Sequence, residues 1–442
     1  MAAPHPFRIP AFRAFVIARL TATLGQMAMV IVIGWQVYDL ARQTMSVKEA
    51  AFKLGLIGVA QFLPLLVLSL FAGWVADRID RRWIARAALG LEALCALMLA
   101  WLTWSHHISL PALFGIAALL GVARAFAGPA LGALAPNLVP APSLPTAIAL
   151  SSLAWQAGTV IGPAMGGYLY AAASWAPYLT SGVLFALSAL MMFLIGPVPR
   201  KAIAGAANPW EQMIEGLHYV RRNRLVLGAI SLDLFAVLLG GATAMLPVYA
   251  RDILQVGADG LGHLRAAPAL GAVAMGAWFS WRPLKHDVGA KMLLGVAAFG
   301  LATIVFGLAA PMLVPLLGPQ AVGSDLAPAV LISLAALFVL GAADMVSVYV
   351  RQSLIQLYTP DEMRGRVGAV STLFVSGSNE LGEAESGFLA ALIGPVAAVV
   401  GGGIGAVLVT LLWARIFPEL RRARTFDPPE TLEHIPLKES TT

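Results

Sequence analysis

Three carboxylates lie within six residues of one apolar segment, at Glu380, Glu383 and Glu385. Asn379 and Glu383 share a face of a helix because they are four residues apart, and Glu380 lies beside them at a spacing of three. Ionised carboxylates this close together in a low dielectric repel one another, so we expect at least one to hold a proton near neutral pH. The pattern indicates reversible proton binding; simple solvation at an aqueous opening is the alternative.

An arginine and two aspartates interrupt other apolar segments, at Arg124, Asp344 and Asp233. A buried guanidinium keeps its charge, so Arg124 requires a carboxylate, carbonyl groups or a water-filled cavity beside it. Arg124 and Asp344 are related by an internal repeat described below, and we expect them to face one cavity from two sides. A static buried ion pair is the alternative. Asp233 is a further candidate for proton handling, with Arg222 or Arg224 as its expected partner.

A short charged turn separates two apolar segments. Its spacing is Gly-x3-Asp-Arg-x-Asp-Arg-Arg, formed by Gly73, Asp77, Arg78, Asp80, Arg81 and Arg82. So many charges are incompatible with hydrocarbon, which indicates a tight turn at a membrane surface. Asp77 can face the positive N-terminal end of another helix, while the arginines can bind carboxylates or carbonyls. We interpret it as a gating turn; an ordinary basic membrane anchor is the alternative.

A stripe of small residues marks the fifth apolar segment. It consists of Gly158, Gly162, Pro163, Gly166 and Gly167. Glycines at intervals of four residues form a smooth helical face, which allows a neighbouring helix to approach closely. Pro163 removes a backbone donor and softens the helix at that point.

Four polar or aromatic residues are weaker candidates to line a pocket: Trp35, Gln36, Gln61 and Gln156. Burial in the core or at the membrane interface is the alternative for them. We find no metal-ligand spacing and no phosphate-binding glycine loop with a lysine. No cofactor, no metal and no enzymatic activity are therefore expected.

The composition indicates an integral membrane protein. Apolar residues make up 59% of the 442 residues and charged residues only 12%, against roughly a quarter charged in soluble domains. The mean hydropathy is +0.81. The net charge of +6 does not indicate nucleic acid, because the basic residues cluster in alternate loops, which is typical of an orientation signal.

The apolar runs predict an all-α fold of twelve transmembrane helices in two pseudo-symmetric six-helix bundles, since each crossing needs roughly 20 residues. Spans are expected near 13–39, 51–76, 83–104, 109–135, 144–172 and 175–197, and again near 224–252, 257–281, 289–313, 325–358, 363–393 and 396–417. The predicted divisions are an N-terminal bundle at 1–197, a cytoplasmic linker with an amphipathic helix at 198–223, a C-terminal bundle at 224–417 and a cytoplasmic tail at 418–442.

The distribution of basic residues predicts that both termini are cytoplasmic. The outer side carries few of them, namely Arg42, Lys48, Lys53, Arg251 and Arg265. Arg351 is expected to reach the inner surface from the tenth span.

The two halves repeat. At an offset of 220 residues Gly121 falls on Gly341, Arg124 on Asp344, Gly162 on Gly382 and Gly167 on Gly387, and at a looser alignment Gly55 falls on Gly262. Two six-helix copies with a site between them are the plan of an alternating-access transporter.

The charged turn resembles the loop between helices 2 and 3 of the major facilitator superfamily, and the glycine stripe resembles the helix-5 pattern of its exporters. Arg124 resembles the helix-4 arginine with which members handle protons or substrate. The stretches Phe12–Arg19, Gly34–Leu40, Gln61–Pro64, Arg364–Val367 and Ser378–Glu383 look like the enterobactin-exporter-like subgroup.

The resemblance implies a secondary active transporter, in particular a proton-coupled exporter of a small amphipathic organic molecule or siderophore at a bacterial inner membrane. A monomer in contact with lipid is expected, with protons and the cargo as partners and no nucleic acid. In the expected cycle the Asp77 turn joins the halves at the N-terminal end of the eleventh helix while the outside is open. An importer or passive facilitator on the same fold, and a non-transporting membrane receptor or assembly protein, are the alternatives.

Overall fold

The structure is a computed structural model that describes residues 5–132, 134, 138–140, 143–197 and 209–426. Within these ranges the chain is helical and contains no strand. The first six long helices are α1 (Pro10–Ala41), α2 (Val47–Arg78), α3 (Arg81–Trp104), α4 (Leu110–Gly132), α5 (Leu144–Ala172) and α6 (Ala176–Phe193). The helix α7 (Pro209–Arg222) follows, and the second half contains α8 (Arg224–Leu239), α9 (Leu246–Val248), α10 (Gly257–Trp281), α11 (Val288–Leu317), α12 (Pro328–Tyr358), α13 (Asp361–Ile393), α14 (Pro395–Ile416) and α15 (Pro418–Arg422).

By length and composition, eight of these helices could cross a membrane: α1, α2 over Val47–Leu68, α3, α4, α6, α11, α12 and α14. The seventh span is interrupted, whereas the sequence predicted a continuous one near 224–252. Its first part, α8, ends at Leu239, and the chain resumes at α9 and a π-helical turn, Tyr249–Ile253. Gly240 and Gly241 follow Leu239 directly, and glycine is a poor helix former, which accounts for the break.

Each bundle is held by its own helix pairs. In the first half α1 packs on α5 and α6, α2 on α4, and α3 on α6; in the second half α12 packs on α10 and α11, and α14 on α11. The bundles meet where α2 packs on α13 and α5 on α10. This is the two-bundle arrangement that the sequence predicted.

Two glycine crossings form the closest approach between the bundles. A Cβ added at Gly55 would lie 2.8 Å from the Cα of Gly387, and one added at Gly167 would lie 2.6 Å from the Cα of Gly262. The glycines that the repeat aligned with one another therefore occupy equivalent places in the two crossings. We call these contacts the glycine crossings.

The rest of the glycine stripe on α5 packs on α1. A Cβ at Gly158 would lie 2.6 Å from the Cβ of Thr23, and a Cβ at Gly162 would lie 2.7 Å from the Cβ of Met27. The close approach expected of a small-residue face is present here.

The helix α7 lies in the predicted linker and docks on the second bundle. Its Glu215 forms an ion pair with Arg366 of α13, and the hydroxyl of Tyr219 donates to the backbone oxygen of Tyr358 at 2.6 Å. The bounds of the helices are compatible with the predicted boundaries of the bundles, linker and tail, after residues 197, 223 and 417. These boundaries remain a proposal.

One end of the two bundles contains the starts of α1 and α3 together with α7 and α15. We call it the terminal end. Contacts at this end include Arg82 Nη1 to Ile195 O at 2.9 Å and Arg224 Nε to Glu419 Oε1 at 2.7 Å. The opposite end is called the distal end.

Candidate functional site

A central cavity lies between the two bundles, with about 390 Å³ of empty space that includes its opening to solvent. The first bundle lines it with Val30, Ile31, Gly34, Leu54, Ile57 and Gln61, and the second bundle with Ala244, Pro247, Arg265 and Glu383. Its wall is therefore apolar except for one amide and one pair of opposite charges. Glu383 and Gln61 were both expected in a site between the bundles, and the structure brings them together.

Arg265 faces Glu383 across this cavity, and the two groups interact electrostatically. The Nε of Arg265 is buried and, among the described residues, has no hydrogen-bond partner. The expectation that Arg265 belongs to the outer surface was wrong. The residue lies eight positions inside α10, and the guanidinium turns to the acid in the cavity because a charge at this depth needs a partner. That depth in an apolar span was the signal in the sequence.

A second cavity lies inside the C-terminal bundle and encloses about 220 Å³ of empty space. Asp233, Asp344 and Ser347 contribute its polar wall, and Ala236, Val237, Val296, Phe299 and Ala343 its apolar wall. Both aspartates were expected to handle protons, and the structure brings these two together.

Arg351 and Asp233 form a buried ion pair beside the second cavity, with 3.3 Å between Nε and Oδ2. Ser347 donates to Asp233 at 3.3 Å, and Arg351 Nη1 donates to the hydroxyl of Ser371 at 3.1 Å. The expected partners of Asp233, Arg222 and Arg224, and the expected surface position of Arg351, were therefore wrong.

The pairing has a physical reason. Arg351 is only 3% exposed, and by turning inward it pairs with the Asp233 carboxylate and donates to the Ser371 hydroxyl. Breaking such a pair leaves an uncompensated buried charge, which is strongly unfavourable.

Arg124 belongs to a third cluster, in the N-terminal bundle. It interacts electrostatically with Glu92 of α3, which is only 3% exposed. Asp344 instead interacts electrostatically with Asp233 and Arg351. Arg124 and Asp344 thus occupy separate clusters, one in each bundle, rather than one shared cavity. Sequence reasoning missed Glu92, although it is the one acid within the apolar span 83–104.

The remaining pocket candidates have other neighbours. Gln36 accepts a hydrogen bond from Tyr178 at 2.6 Å and donates to Thr103 at 3.2 Å, so it ties helices of the N-terminal bundle together. Trp35 is buried, with its ring edge-on to Tyr170. Gln156 is exposed on α5.

The eleventh span is one continuous helix, α13, so the expected helical spacing of its polar residues is present. Asn379 is exposed and Glu385 is half-buried. The prediction for the Glu380 side chain lies outside the described residues. In the part of the chain that the structure describes, no group of three or more His, Cys, Asp or Glu side chains could hold a metal ion.

The charged turn is as tight as expected, because α2 ends at Arg78 and α3 begins at Arg81. Asp80 caps α3 by accepting from the backbone N–H of Arg82 at 3.0 Å, and it pairs with the Arg82 guanidinium at 2.6 Å. Arg81 is half-buried. The predictions for Gly73, Asp77 and Arg78 concern packing outside the described part of the chain.

At the distal end, two ion pairs join the bundles. Asp252 accepts from Tyr38 at 2.5 Å and pairs with Arg42 at 2.9 Å. Arg251 pairs with Asp39 at 2.6 Å. We call these five residues the distal latch. Together with the glycine crossings, the latch joins the two bundles on the distal side of the central cavity.

The chain matches the family model of the Major Facilitator Superfamily over residues 14–383. It is 28% identical over 439 residues to the enterobactin exporter EntS of Escherichia coli O1:K1 / APEC, with 96% of this chain and 95% of the relative covered. EntS of Shigella boydii serotype 18 is also 28% identical over 439 residues, with the same coverage.

Solved structures share the fold. A D-xylose–proton symporter superposes with a TM-score of 0.70 at 15% identity, over 92% of this chain and 98% of that one. A bacterial homologue of the human lysosomal transporter Spinster, in an inward-facing and occupied conformation, superposes with a TM-score of 0.67 at 13% identity, over 95% of this chain and 99% of that one. These likenesses confirm the expected twelve-helix arrangement and the expected resemblance to enterobactin exporters. The chain is a multi-pass membrane transporter that belongs to the major facilitator superfamily.

Proposed function

We propose that this transporter exports a small amphipathic organic molecule, of the siderophore type, across a bacterial inner membrane in exchange for protons. The observation that carries the proposal is the central cavity, which both bundles line, with the distal latch joining the bundles on one side of it. A cavity between two bundles that is closed at one end suits alternating access.

The residues that line the central cavity indicate which chemical groups the cargo carries. The unsatisfied Nε of Arg265 suits an acidic oxygen, because a guanidinium binds carboxylate-like oxygens in its own plane. Glu383 suits a hydroxyl or amine donor, and Leu54, Ile57 and Pro247 suit an apolar ring or chain. Enterobactin, the cargo named for the relatives, is the natural first probe.

The direction and the driving force are inferred from charge. The terminal end carries most of the basic loops, so we place it in the cytoplasm, where the cavity receives cargo when the latch is closed. One proton moving down a potential of about 150 mV yields roughly 3.5 kcal/mol. That energy supports a cargo ratio of a few hundredfold, at about 1.4 kcal/mol per factor of ten.

Alternating access also requires a state in which the distal end is open and the terminal end is closed. We propose that the charged turn at Asp77 closes the terminal end against the N-terminal end of α13 when the latch is open. In that state the two bundles rock about their shared interface, and the cargo leaves at the distal end.

The test is uptake of enterobactin into inverted membrane vesicles, whose interior corresponds to the cell exterior. With an acidic vesicle interior we expect accumulation that a protonophore abolishes. Arg265→Gln should reduce it at least tenfold, since it removes the charge that binds the acidic oxygen.

The matched control is Arg282→Gln, because Arg282 lies at the other end of the same helix and is exposed over Trp278. It should transport like the unmodified protein. Accumulation only in right-side-out vesicles would indicate an importer, and accumulation that ignores the protonophore would exclude proton exchange.

A further inference from the structure

The second cavity has no place in the cargo path described above. It lies within the C-terminal bundle, walled by α8, α11 and α12, whereas both bundles line the central cavity. Two acids beside a mostly apolar cavity are costly to keep charged, so the charges of the groups around it must be compared.

That balance leaves one negative charge uncompensated. Arg351 pairs with Asp233, which also accepts from Ser347. Asp344 lines the cavity, but among the described residues its carboxylate has no hydrogen bond or ion pair. With both acids ionised, the cluster would carry two negative charges and one positive charge. One cation restores neutrality.

We propose that Asp344 is a proton-binding site, with the second cavity as its access chamber. The proton adds to a carboxylate oxygen of Asp344, which becomes a neutral acid, and it leaves again as the carboxylate re-forms. Asp233 stays ionised because Arg351 and Ser347 hold its charge by direct contacts.

The surroundings favour a proton over a metal cation. Hard cations take about six oxygen ligands, whereas among the described residues the side-chain oxygens that line this cavity come from Asp233, Asp344 and Ser347. The helix α11 presents Val296 and Phe299 to it.

Two polar groups on the helices packed against α12, Arg265 and Ser371, are engaged elsewhere. Arg265 of α10 faces Glu383 of α13 in the central cavity. From α13, Ser371 reaches Arg351 rather than the cavity. Within the described part of the chain, the charges that act on Asp344 are Asp233 of α8 and Arg351 of its own helix.

The position of the site suggests how a proton influences the latch. Ala236 and Val237, which line the cavity, directly precede the break in the seventh span. The residues beyond the break lead to Arg251 and Asp252 of the distal latch. A change of charge at Asp344 acts on α8 and is transmitted to the segment that carries the latch. This role in transport rests on the proposed function; proton binding itself does not.

The experiment is infrared difference spectroscopy of the purified protein in nanodiscs, recorded across a pH change. A protonated carboxylic acid has a C=O band that the carboxylate lacks. We expect one pH-dependent component to vanish in Asp344→Asn and to shift in Asp344→Glu, which keeps a carboxyl group and guards against a folding defect. Asp325→Asn is the control, since this distal acid is half exposed beside His263.

The proposal is overturned if the component persists in Asp344→Asn, or if Glu92→Gln or Glu383→Gln removes it instead. It is also overturned if sodium ions displace the component at constant pH, because the bound cation is then a metal ion. In vesicles, Asp344→Asn should keep exchange of labelled for unlabelled enterobactin but lose accumulation driven by pH. A missing exchange in the unmodified protein would refute the proposed cargo and leave the proton site standing.

Discussion

Asp252 is the residue on which closure of the distal end depends most, because it binds two groups of the other bundle. The side chains of Arg42 and Asp252 are 24% and 18% exposed, so water screens this pair only in part. Hydrogen bonds to charged groups contribute about 1.5–3 kcal/mol each. The second pair, Arg251 with Asp39, is more exposed, at 29% and 37%, and pairs of that kind contribute at most about 1 kcal/mol.

We therefore expect Asp252→Asn to remove about 2–3 kcal/mol from the closed state. The asparagine still accepts from Tyr38, but it has no charge for Arg42. At about 1.4 kcal/mol per factor of ten, the ratio of distal-open to distal-closed molecules should rise roughly 30- to 100-fold.

Distances between two spin labels measure that ratio. Gln43→Cys and Gln320→Cys place labels on exposed positions at the distal end of the two bundles. The chain has only one cysteine, the buried Cys95, so Cys95→Ser gives a clean background. Asp252→Asn should add a population at longer distance.

Two further variants make the result decisive. Asp325→Asn removes a distal acid whose partner lies in its own bundle, and it should leave the distances unchanged. Arg42→Gln combined with Asp252→Asn should open the distal end little more than either change alone. Equal opening in Asp325→Asn, or a distance distribution that Asp252→Asn does not alter, would refute a closure held by this ion pair.

Two other substitutions test the packing. Gly387→Ala should favour separation of α2 from α13 and lower the melting temperature, because the new methyl group meets the Cα of Gly55. The control is Gly90→Ala, whose added Cβ has nothing within 4 Å. It should leave the melting temperature unchanged in the same thermal assay. Tyr178→Phe should destabilise the N-terminal bundle by about 1–3 kcal/mol, measured by chemical unfolding, since it leaves the buried Gln36 oxygen without its donor; a loss below about 0.5 kcal/mol would mean that another group replaces the donor.

The sequence predicted the positions of most helices well, for a physical reason. Lipid requires long apolar helices, so hydropathy alone places most of them. The repeat also placed Gly55, Gly167, Gly262 and Gly387 in equivalent positions, and the structure pairs them across the interface. The break at Gly240 was missed because an apolar run looks the same with or without regular helical geometry.

Charged partners were predicted less well. Spacing along one helix shows which residues share a face, but it does not show which other helix covers that face. Arg351 was therefore assigned to the inner surface and Arg265 to the outer side, although each interacts with an acid on another helix. Glu92 was overlooked because its partner, Arg124, lies on another helix.

The glycine crossings have a mechanical consequence. At both places backbone rests on backbone, and a single ring pair packs beside each crossing, Phe52 with Phe388 and Tyr168 with His263. Interdigitated side chains do not slide continuously past one another, because each side chain must leave one gap on the opposing helix before it enters the next. We therefore expect the two crossings, one on each pair of helices, to act as pivot points at which one bundle turns on the other while only the neighbouring rings reorient.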